Sequence, residues 1–470
     1  MYTIIEKKLD QVLESEWKAL DYEAVPDLTA EDYQERIRRL WAMKEAEEYS
    51  GILIYADREH FSNVHYFTDL DTRFEEALLV LCRDREPIIV LGNENMGYSD
   101  IIPYPIEKKL YQSFSLMGQP NDGRSMLLED LIRSFNLPET GKIGLIGWKN
   151  YDPTLFSVDC LVTDVPHYIV ETLFKVVDRA RVQNAVDLLA DSVYGLKHHV
   201  GAKEIVQFEA VGTKSSRSTY RCIRDLEPGQ SEIDASAALR LDGDPLNIHP
   251  NVNFGDKSTA MGLSSPKYHN KLRLGDFVGV GCSFRGANTH KSGIYAASAA
   301  DIPEDRKDYI EKMAKPYYAT IARWYEMMRI GTACGDVWQM VEDWIGFEKF
   351  GIGLNPGHLG HTDEWTNSPF KKGSAEKIAS GMVIQCDYTV MFRNPHMTCH
   401  VEDALVIADE ALRAEVQALS PACWERIARR RRIMKDVLNI DLPDEVLPLS
   451  DLAGICFPYM ADVTTVFAKA

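Results

Sequence analysis

Hydrophobic residues recur at helical spacing in the segment 28–48, where Ile37 and Leu40 fall on one face. Thr29 and Asp32 precede this face in the arrangement of a capping box, so the sequence predicts a helix that begins there. Short apolar runs between turn residues predict strands. These further elements are strands at 52–57, 75–92 (a hairpin) and 142–148, and a helix at 125–135. Such alternation of helices and strands is typical of an α/β domain.

Beyond residue 186 the pattern changes to helices followed by antiparallel strands, which is typical of an α+β domain. The predicted helices lie at 202–224, 232–241, 304–328 and 337–349. The predicted strands lie at 251–256, 276–284, 292–298 and within 381–408, after a loop at 355–369. We therefore predict two domains, at 1–185 and 186–470.

The composition of the 470-residue chain, 45% hydrophobic and 26% charged, is that of a globular protein. Apolar runs stay below the roughly 18 residues of a membrane span, and the N-terminus lacks the apolar core of a signal peptide. Nine cysteines without CxxC spacing are typical of reduced thiols. We therefore predict a cytoplasmic protein that does not enter a membrane.

Lys and Arg number 52 and Asp and Glu number 71, so the net charge is −19. Such a surface repels nucleic acid, which leaves a small-molecule substrate as the expected partner. The basic cluster at 426–435 has helical spacing and is predicted to be a solvated helix face.

The segment 381–408 carries the clearest chemical signal. Asp387 follows one strand-like run, and Glu402 and Asp403 lie in the next. A carboxylate inside a sheet costs several kcal/mol unless a metal, a cation or a proton satisfies it. We therefore predict a site that contains Asp387 and Glu402.

Two histidines, His358 and His361, lie in the glycine-flanked loop before these strands, with Glu364 and Trp365 close behind. Imidazoles titrate near neutral pH and suit general acid–base catalysis beside carboxylates. We predict catalytic roles for both histidines and substrate binding by Glu364 and Trp365. Core packing explains Trp365 equally well.

The order of several motifs resembles the pita-bread superfamily of creatinase, prolidase, Xaa-Pro peptidases and methionine aminopeptidase. These motifs are GAKEIVQFEAVG, PGQSEID, LRLGDFV, GTACGDV, GHLGHTDEW, SGMVIQCDYTV and CHVEDALVI. The first half, with ILIYADREHFSNVHYFTDLDTRFEEALLVL, resembles the creatinase/prolidase N-terminal domain. The resemblance covers nearly the whole chain. It implies an α+β pita-bread C-terminal domain, an α/β N-terminal domain and a homodimer.

The resemblance also implies a ligand set, because peptide-cleaving members hold two divalent metals on two aspartates, a histidine and two glutamates. The first aspartate position falls at Gly281 or Cys282 and the second within 291–293, where this chain has no acid. The histidine position falls near Gly357 or His358, depending on the alignment, and the two glutamate positions are matched by Asp387 and Glu402, so the three candidate ligands are His358, Asp387 and Glu402. Because metal affinity depends on ligand count and charge, we expect no cofactor. The alternative is a divalent metal such as Mn, Fe or Zn on those three residues.

His290 and Lys291 lie near the vacated aspartate positions. A lysine there could replace the charge of a metal ion and bind a substrate carboxylate. We therefore predict that His290 and Lys291 bind substrate, although exposure to solvent is the usual fate of a lysine.

Three functions remain open. The first is a metal-independent hydrolase of a C–N bond in a small charged amino-acid derivative, with creatinase-like or ectoine-hydrolase-like chemistry. There His358 or His361 would activate water while Glu402 and Asp387 orient the substrate. The alternative is a metal-dependent Xaa-Pro dipeptidase, aminopeptidase or related lyase. A second alternative is a pita-bread module that binds partners without catalysis.

Overall fold

The computed structural model describes residues 1–156, 161–260 and 262–470. The chain divides into two compact units, Asp27–Lys197 and a second unit made of Met1–Pro26 with His198–Ala470. Within the described residues, no helix is both long and apolar enough to cross a membrane.

The helices and strands are numbered along the chain. The strands are β1 Ile4–Lys8, β2 Tyr49–Ala56, β3 Ala77–Cys82, β4 Ile88–Leu91, β5 Glu107–Leu110, β6 Lys142–Ile146, β7 Val182–Asn184, β8 Asn251–Phe254, β9 Phe277–Phe284, β10 Ala287–Ile294, β11 His358–Leu359, β12 Val383–Gln385, β13 His400–Ile407, β14 Val446–Pro448 and β15 Thr465–Lys469. The helices are α1 Ala30–Ala42, α2 Ser62–Thr68, α3 Asn95–Tyr98, α4 Leu128–Ser134, α5 His167–Leu173, α6 Asp187–Ala190, α7 Ala202–Arg224, α8 Glu232–Ser236, α9 Gly255–Thr259, α10 Lys315–Met327, α11 Cys334–Trp344, α12 Phe347–Phe350, α13 Glu410–Leu419 and α14 Pro421–Arg432.

The first unit is built on a mixed sheet with the strand order β5-β4-β3-β2-β6-β7. Strand β2 pairs parallel with β6 and antiparallel with β3, and β3 and β4 form the predicted hairpin. Alternate residues of β2 face opposite sides of the sheet. Ile52 packs in one core cluster with Leu40 of α1, and Leu53 packs in another with Ile132 of α4. Both faces are thus covered, as in the predicted α/β domain.

The second unit contains an antiparallel sheet with the order β11-β12-β13-β10-β9-β8, and β14 also pairs with β13. Helix α7 has the predicted bounds and packs across β9 and β10. A large hydrophobic cluster joins Val280 of β9 and Val401 of β13 to Trp324 of α10. The sheet places β11, β12, β13 and β10 side by side, so residues far apart in sequence meet at one place.

The N-terminal segment belongs to the second unit, where β1 pairs antiparallel with β15. Local sequence patterns carry no signal for a pairing between the two ends of a chain. The domain boundary that the sequence predicts after residue 185 stays a prediction. The two compact units of the structure divide after Lys197.

The basic cluster of helix α14 is only partly solvated, and the expectation of a solvated face is wrong for Arg426, Arg429 and Arg430, which are buried. Arg426 Nε lies 2.9 Å from Glu209 Oε1, and Arg430 Nε lies 2.7 Å from Asp451 Oδ1. Arg429 also pairs with Asp451. These five residues are called the arginine network below, and inside the second unit its three guanidinium groups compensate both carboxylates.

Candidate metal centre

Four neighbouring strands carry the predicted acidic and imidazole groups. His358 begins β11, Asp387 follows β12, Glu402 lies in β13 and His290 lies in β10. His290 stands opposite Glu402 in the β10–β13 register, so their side chains project from the same face of the sheet. The fold therefore brings four of the predicted site residues to one face.

His358, Asp387 and Glu402 form a buried group, called the ligand cluster below. One nitrogen or oxygen atom from each lies within 4.8 Å of the corresponding atom of the others. His358 Nε2 is 3.5 Å from Asp387 Oδ2. Yet His358 Nε2 and Glu402 Oε1 are buried without a hydrogen-bond partner among the described residues. Buried polar atoms of this kind usually have a partner, so these two atoms call for an additional ligand.

The two carboxyl groups of the ligand cluster have opposite pKa shifts. Burial raises the pKa of Glu402 well above its ordinary value, and the neighbouring acids Asp387 and Glu364 add to the rise. Burial also acts to raise the pKa of Asp387, but His358 and His400 outweigh it and hold that pKa below its ordinary value. Glu402 therefore favours its neutral form in this setting, and a cation between the two carboxyl groups would favour its ionised form.

His400 is a site residue that the sequence reasoning missed. Its Nε2 lies 2.9 Å from Asp387 Oδ1, and its Nδ1 lies 2.9 Å from His290 Nδ1. A usable signal was present, because residues two apart in a strand share a face and His400 precedes Glu402 by two. The arrangement orients Asp387 through an imidazole.

The loop after β11 supplies further groups around His358. The ring of Trp365 stacks on the His358 imidazole, with centroids 4.1 Å apart and an interplanar angle of 18°. Burial raises the pKa of Glu364, an effect that His358 opposes and Asp387 reinforces. His361 points elsewhere, with its Nε2 3.1 Å from Glu204 Oε1. Trp365 and Glu364 thus accompany the ligand cluster, whereas His361 bonds to helix α7.

Lys291 does not join this group. It projects from the opposite face of β10, where its buried Nζ lies 2.6 Å from Asp403 Oδ2 and 3.1 Å from the Leu452 carbonyl oxygen. Its charge therefore neutralises Asp403, the acid next to Glu402. Binding of a substrate carboxylate by Lys291 stays a prediction.

Histidine and glycine residues occupy the space near the first vacated aspartate position. A Cβ atom built on Gly281 would lie 2.4 Å from Cδ2 of the His290 ring. A longer side chain at Gly281 thus requires the His290 ring to move. The next residue, Cys282, is buried, and burial raises the pKa of its thiol to about 12, so it is a poor nucleophile.

The donor set of the ligand cluster fits a divalent transition metal. One imidazole nitrogen and two carboxylate oxygens give three protein ligands, the number found in catalytic zinc sites, and a water or substrate can take the fourth position. The two unpartnered atoms belong to this set, and a cation would offset the buried carboxylates. The residues present therefore fit one metal ion.

Comparisons with known proteins support the fold. No protein-family profile matches the chain, and no curated protein matches it either. Among solved structures, a prolidase from Pyrococcus horikoshii is 14% identical, with a TM-score of 0.59 over 80% of this chain and 95% of that chain. A dipeptidase from Mycobacterium ulcerans is 16% identical, with a TM-score of 0.58 over 82% and 95%. Aminopeptidase P from E. coli, in complex with the inhibitor Pro-Leu, is 12% identical, with a TM-score of 0.57 over 84% and 99%.

These likenesses confirm the predicted pita-bread fold with its two-domain α/β and α+β organisation. They also bear on the cofactor. The sequence predicts no cofactor, but the chain shares its fold with prolidases and aminopeptidase P and has a buried His/Asp/Glu ligand cluster. The expectation of no cofactor is therefore wrong, since the two lost aspartates leave a complete three-residue donor set.

Proposed function

We propose that the protein is a metal-dependent hydrolase of a C–N bond in small peptide-like substrates, of the Xaa-Pro dipeptidase or aminopeptidase type. The ligand cluster is the observation that carries this proposal, because three buried donors converge and two of their atoms have no hydrogen-bond partner among the described residues. The likeness to prolidases, Xaa-Pro dipeptidases and aminopeptidase P supports the choice of substrate class.

His358, Asp387 and Glu402 would hold one divalent ion. When bound, such an ion supplies Lewis-acid polarisation of a substrate carbonyl and of water. The protein's own task is to fix the donors, since the second layer of contacts sets their orientation. His400 fixes Asp387 through a 2.9 Å hydrogen bond, and Trp365 fixes the His358 ring by stacking on it.

Cleavage of an amide also needs a group that takes a proton from water and gives one to the leaving nitrogen. Glu364 is the acid beside His358 and Asp387 that the three-donor set leaves unused. Burial raises its pKa, which favours exchange of a proton nearer neutral pH than an exposed glutamate allows. We assign this proton transfer to Glu364.

Metal analysis together with a substrate panel tests the proposal. The purified protein is assayed for bound Mn, Fe, Co and Zn, stripped with chelator and reloaded, and each form is tested on Gly-Pro, Gly-Leu and a Xaa-Pro tripeptide. We expect about one ion per chain and activity that follows the metal, with preference for proline-containing peptides. Stoichiometric metal without turnover of any peptide would reject the peptidase assignment, and a protein that binds no metal would reject the whole proposal.

A homodimer and a cytoplasmic location stay predictions. Size-exclusion chromatography with light scattering measures the first directly, and a mass of twice 53.2 kDa is expected for the dimer.

A further inference from the structure

Helix α7 carries basic side chains beside a cavity in the second unit. Lys214, Arg217 and Arg221 follow one another at intervals of three and four residues, a spacing that places them on one face of a helix. All three line a cavity of about 330 Å³ together with Arg240, which directly follows a short 3₁₀ turn. The cavity is called the basic cavity below and is defined by these four residues. It concentrates positive charge in a chain whose net charge is −19.

Two of the four cations are paired with acids. Lys214 Nζ lies 2.6 Å from Asp242 Oδ2 and also pairs with Asp244. Arg217 Nε lies 2.7 Å from Oδ2 of Asp451, a carboxylate that it shares with the arginine network. The acids around the cavity thus compensate Lys214 fully and Arg217 in part.

The other two cations, Arg221 and Arg240, have no carboxylate partner within the described residues. The Arg221 guanidinium group donates to Ser218 Oγ at 3.0 Å and to the Leu239 carbonyl oxygen at 2.8 Å, and both acceptors are neutral. Arg221 Nε and Arg217 Nη2 are buried, and the described part of the chain offers neither of them an acceptor. Buried donors usually have an acceptor, so this region lacks an anion that could supply one.

The electrostatic surroundings of Arg221 agree with this view. Burial lowers the pKa of Arg221, and the neighbouring guanidinium groups, Arg240 foremost, lower it further. The nearby acid Asp225 does not relieve this repulsion, because it is bonded to Arg224 Nε at 2.7 Å. A bound anion would stabilise the charged form of Arg221.

The basic cavity and the ligand cluster lie on opposite faces of the sheet. Phe284 of β9 lines the basic cavity. Gly281 stands opposite His290, which shares its face with Glu402. Because side chains alternate along a strand, positions 281 and 284 project to opposite faces. A molecule in the basic cavity therefore binds away from the metal donors.

The arrangement of the cations indicates the chemistry of the anion. Guanidinium groups bind both carboxylates and phosphates. A phosphate monoester has three strong acceptor oxygens and a charge of about −1.5 to −2 at pH 7, whereas a carboxylate has two oxygens and one charge. Arg217, Arg221 and Arg240 reach the cavity from two separate segments, so a phosphate group serves them better. Tyr22 and Phe284 also line the cavity and provide aromatic walls for an organic part.

We propose that the basic cavity binds a small phosphate monoester through Arg221 and Arg240, with its organic part against Tyr22 and Phe284. The inference goes beyond the proposed hydrolase function and does not depend on it. The phosphate monoester is a second ligand of the protein, bound on the side of the sheet that helix α7 covers.

Calorimetry on the purified protein at constant ionic strength tests this proposal with phenyl phosphate and, as the matched carboxylate, benzoate. We expect one phenyl phosphate to bind per chain, and benzoate to bind much more weakly. Arg240→Gln and Arg221→Gln each remove a cation and should each weaken phenyl phosphate binding about 10- to 100-fold, as for a hydrogen bond to a charged group. Arg240→Lys retains the charge and should recover part of the loss. The exposed Arg432→Gln is the control and should change nothing.

Glu402→Gln shows whether phosphate binds to a metal ion instead, and we expect this variant to bind phenyl phosphate as the wild type does. Loss of binding in Glu402→Gln with normal binding in Arg240→Gln would place the phosphate on the ligand cluster and overturn the inference. Lack of saturable binding, or an equal loss in Arg240→Gln and Arg432→Gln, would overturn it as well. Equal affinity for benzoate would reject the phosphate class. Arg240 is exposed, so Arg240→Gln decides the matter even if Arg221→Gln fails to fold.

Discussion

The second unit contains two buried polar regions that differ in how their charges are balanced. In the arginine network every carboxylate faces guanidinium groups, and Glu209 contacts both Arg426 and Arg430. In the ligand cluster the acids Asp387 and Glu402 are neighbours, and His358 and His400 lower the pKa of Asp387 whereas no cation lowers that of Glu402. The acids are buried to a similar degree in the two regions, so the charges of their neighbours cause the difference between them.

The pKa directions express this difference. Burial alone would raise the pKa of Asp451, but Arg430, Arg429 and Arg217 hold it down, at about 2. Burial raises the pKa of Glu402, and nearby acids raise it further. A buried acid with its own cations stabilises the fold, whereas a buried acid without them marks a place where something must bind.

The largest contrast is expected from Glu402→Gln in the ligand cluster. This change removes a proposed metal donor, so we expect kcat/KM on a Xaa-Pro substrate to fall more than about 1000-fold, with loss of bound metal. The free energy of unfolding of the metal-free protein should not fall, because an uncompensated buried acid is removed. The exposed Glu415→Gln serves as the control and should change neither quantity. A Glu402→Gln variant with normal metal content and activity would contradict the assigned role.

The opposite result is expected in the arginine network. Arg430→Met leaves Glu209 and Asp451 facing each other with one cation fewer, so we expect a loss of about 3–5 kcal/mol in the free energy of unfolding. Urea unfolding measures the loss, and the exposed Arg432→Met is the matched control. Metal stoichiometry of the folded fraction should stay near one per chain. If Arg430→Met is as stable as the wild type, the arginine network has no structural role of this size.

Acid should weaken the arginine network in a defined direction. The folded-state pKa of Asp451 is lowered from its ordinary value of 3.8 to about 2. A lowered pKa contributes stability that is fully present above pH 4 and is lost as the pH falls toward 2, here about 2 kcal/mol. We therefore expect the difference in unfolding free energy between wild type and Asp451→Asn to shrink between pH 5 and pH 2.5. A difference that stays constant over this range would show that Asp451 is not held ionised.

Substitution of His400, which orients Asp387, should have a smaller effect than substitution of a metal donor. His400→Phe removes the hydrogen bond to Asp387, and loss of such an outer contact costs about 10- to 100-fold in metal affinity or activity. Metal titration with a competing chelator measures the affinity. An affinity equal to that of the wild type would show that Asp387 does not need this partner.

Much of the fold could be predicted from local patterns. Helix α7 has the predicted bounds, because Gly201 and Glu204 cap an amphipathic segment. The predicted loop 355–369 contains the two-residue strand β11, which is too short to give a periodic signal. The N-terminal pairing of β1 with β15 depends on distant partners, and so it could not be predicted.

Part of the candidate site could also be predicted from local patterns, and the rest depends on contacts between distant segments. Asp387 and Glu402 were found because acids are rare in apolar strands, and His358 because it lies in a glycine-flanked loop. Burial of Arg430 was missed because its partners come from remote segments. The ion pair of Lys291 with Asp403 could not be predicted either, because it joins strands β10 and β13, which are far apart in sequence. Predicting which charged residues pair across strands requires the register of the strands, and the periodicity of the sequence does not give that register.

The smallest expected effect concerns the space beside the ligand cluster. Gly281→Ala adds a Cβ atom 2.4 Å from Cδ2 of the His290 ring, so the ring must shift at a cost of about 1–3 kcal/mol. The imidazole itself remains, but its contact with His400, the residue that orients Asp387, is disturbed. We expect the metal affinity to fall several-fold, less than in His400→Phe, as measured by titration with a competing chelator. Gly243→Ala is the control, since nothing lies within 4 Å of its added Cβ atom. An unchanged metal affinity in Gly281→Ala would mean that the position of the His290 ring does not influence the ligand cluster, in contrast to the arginine network, where each carboxylate depends on the position of its guanidinium partners.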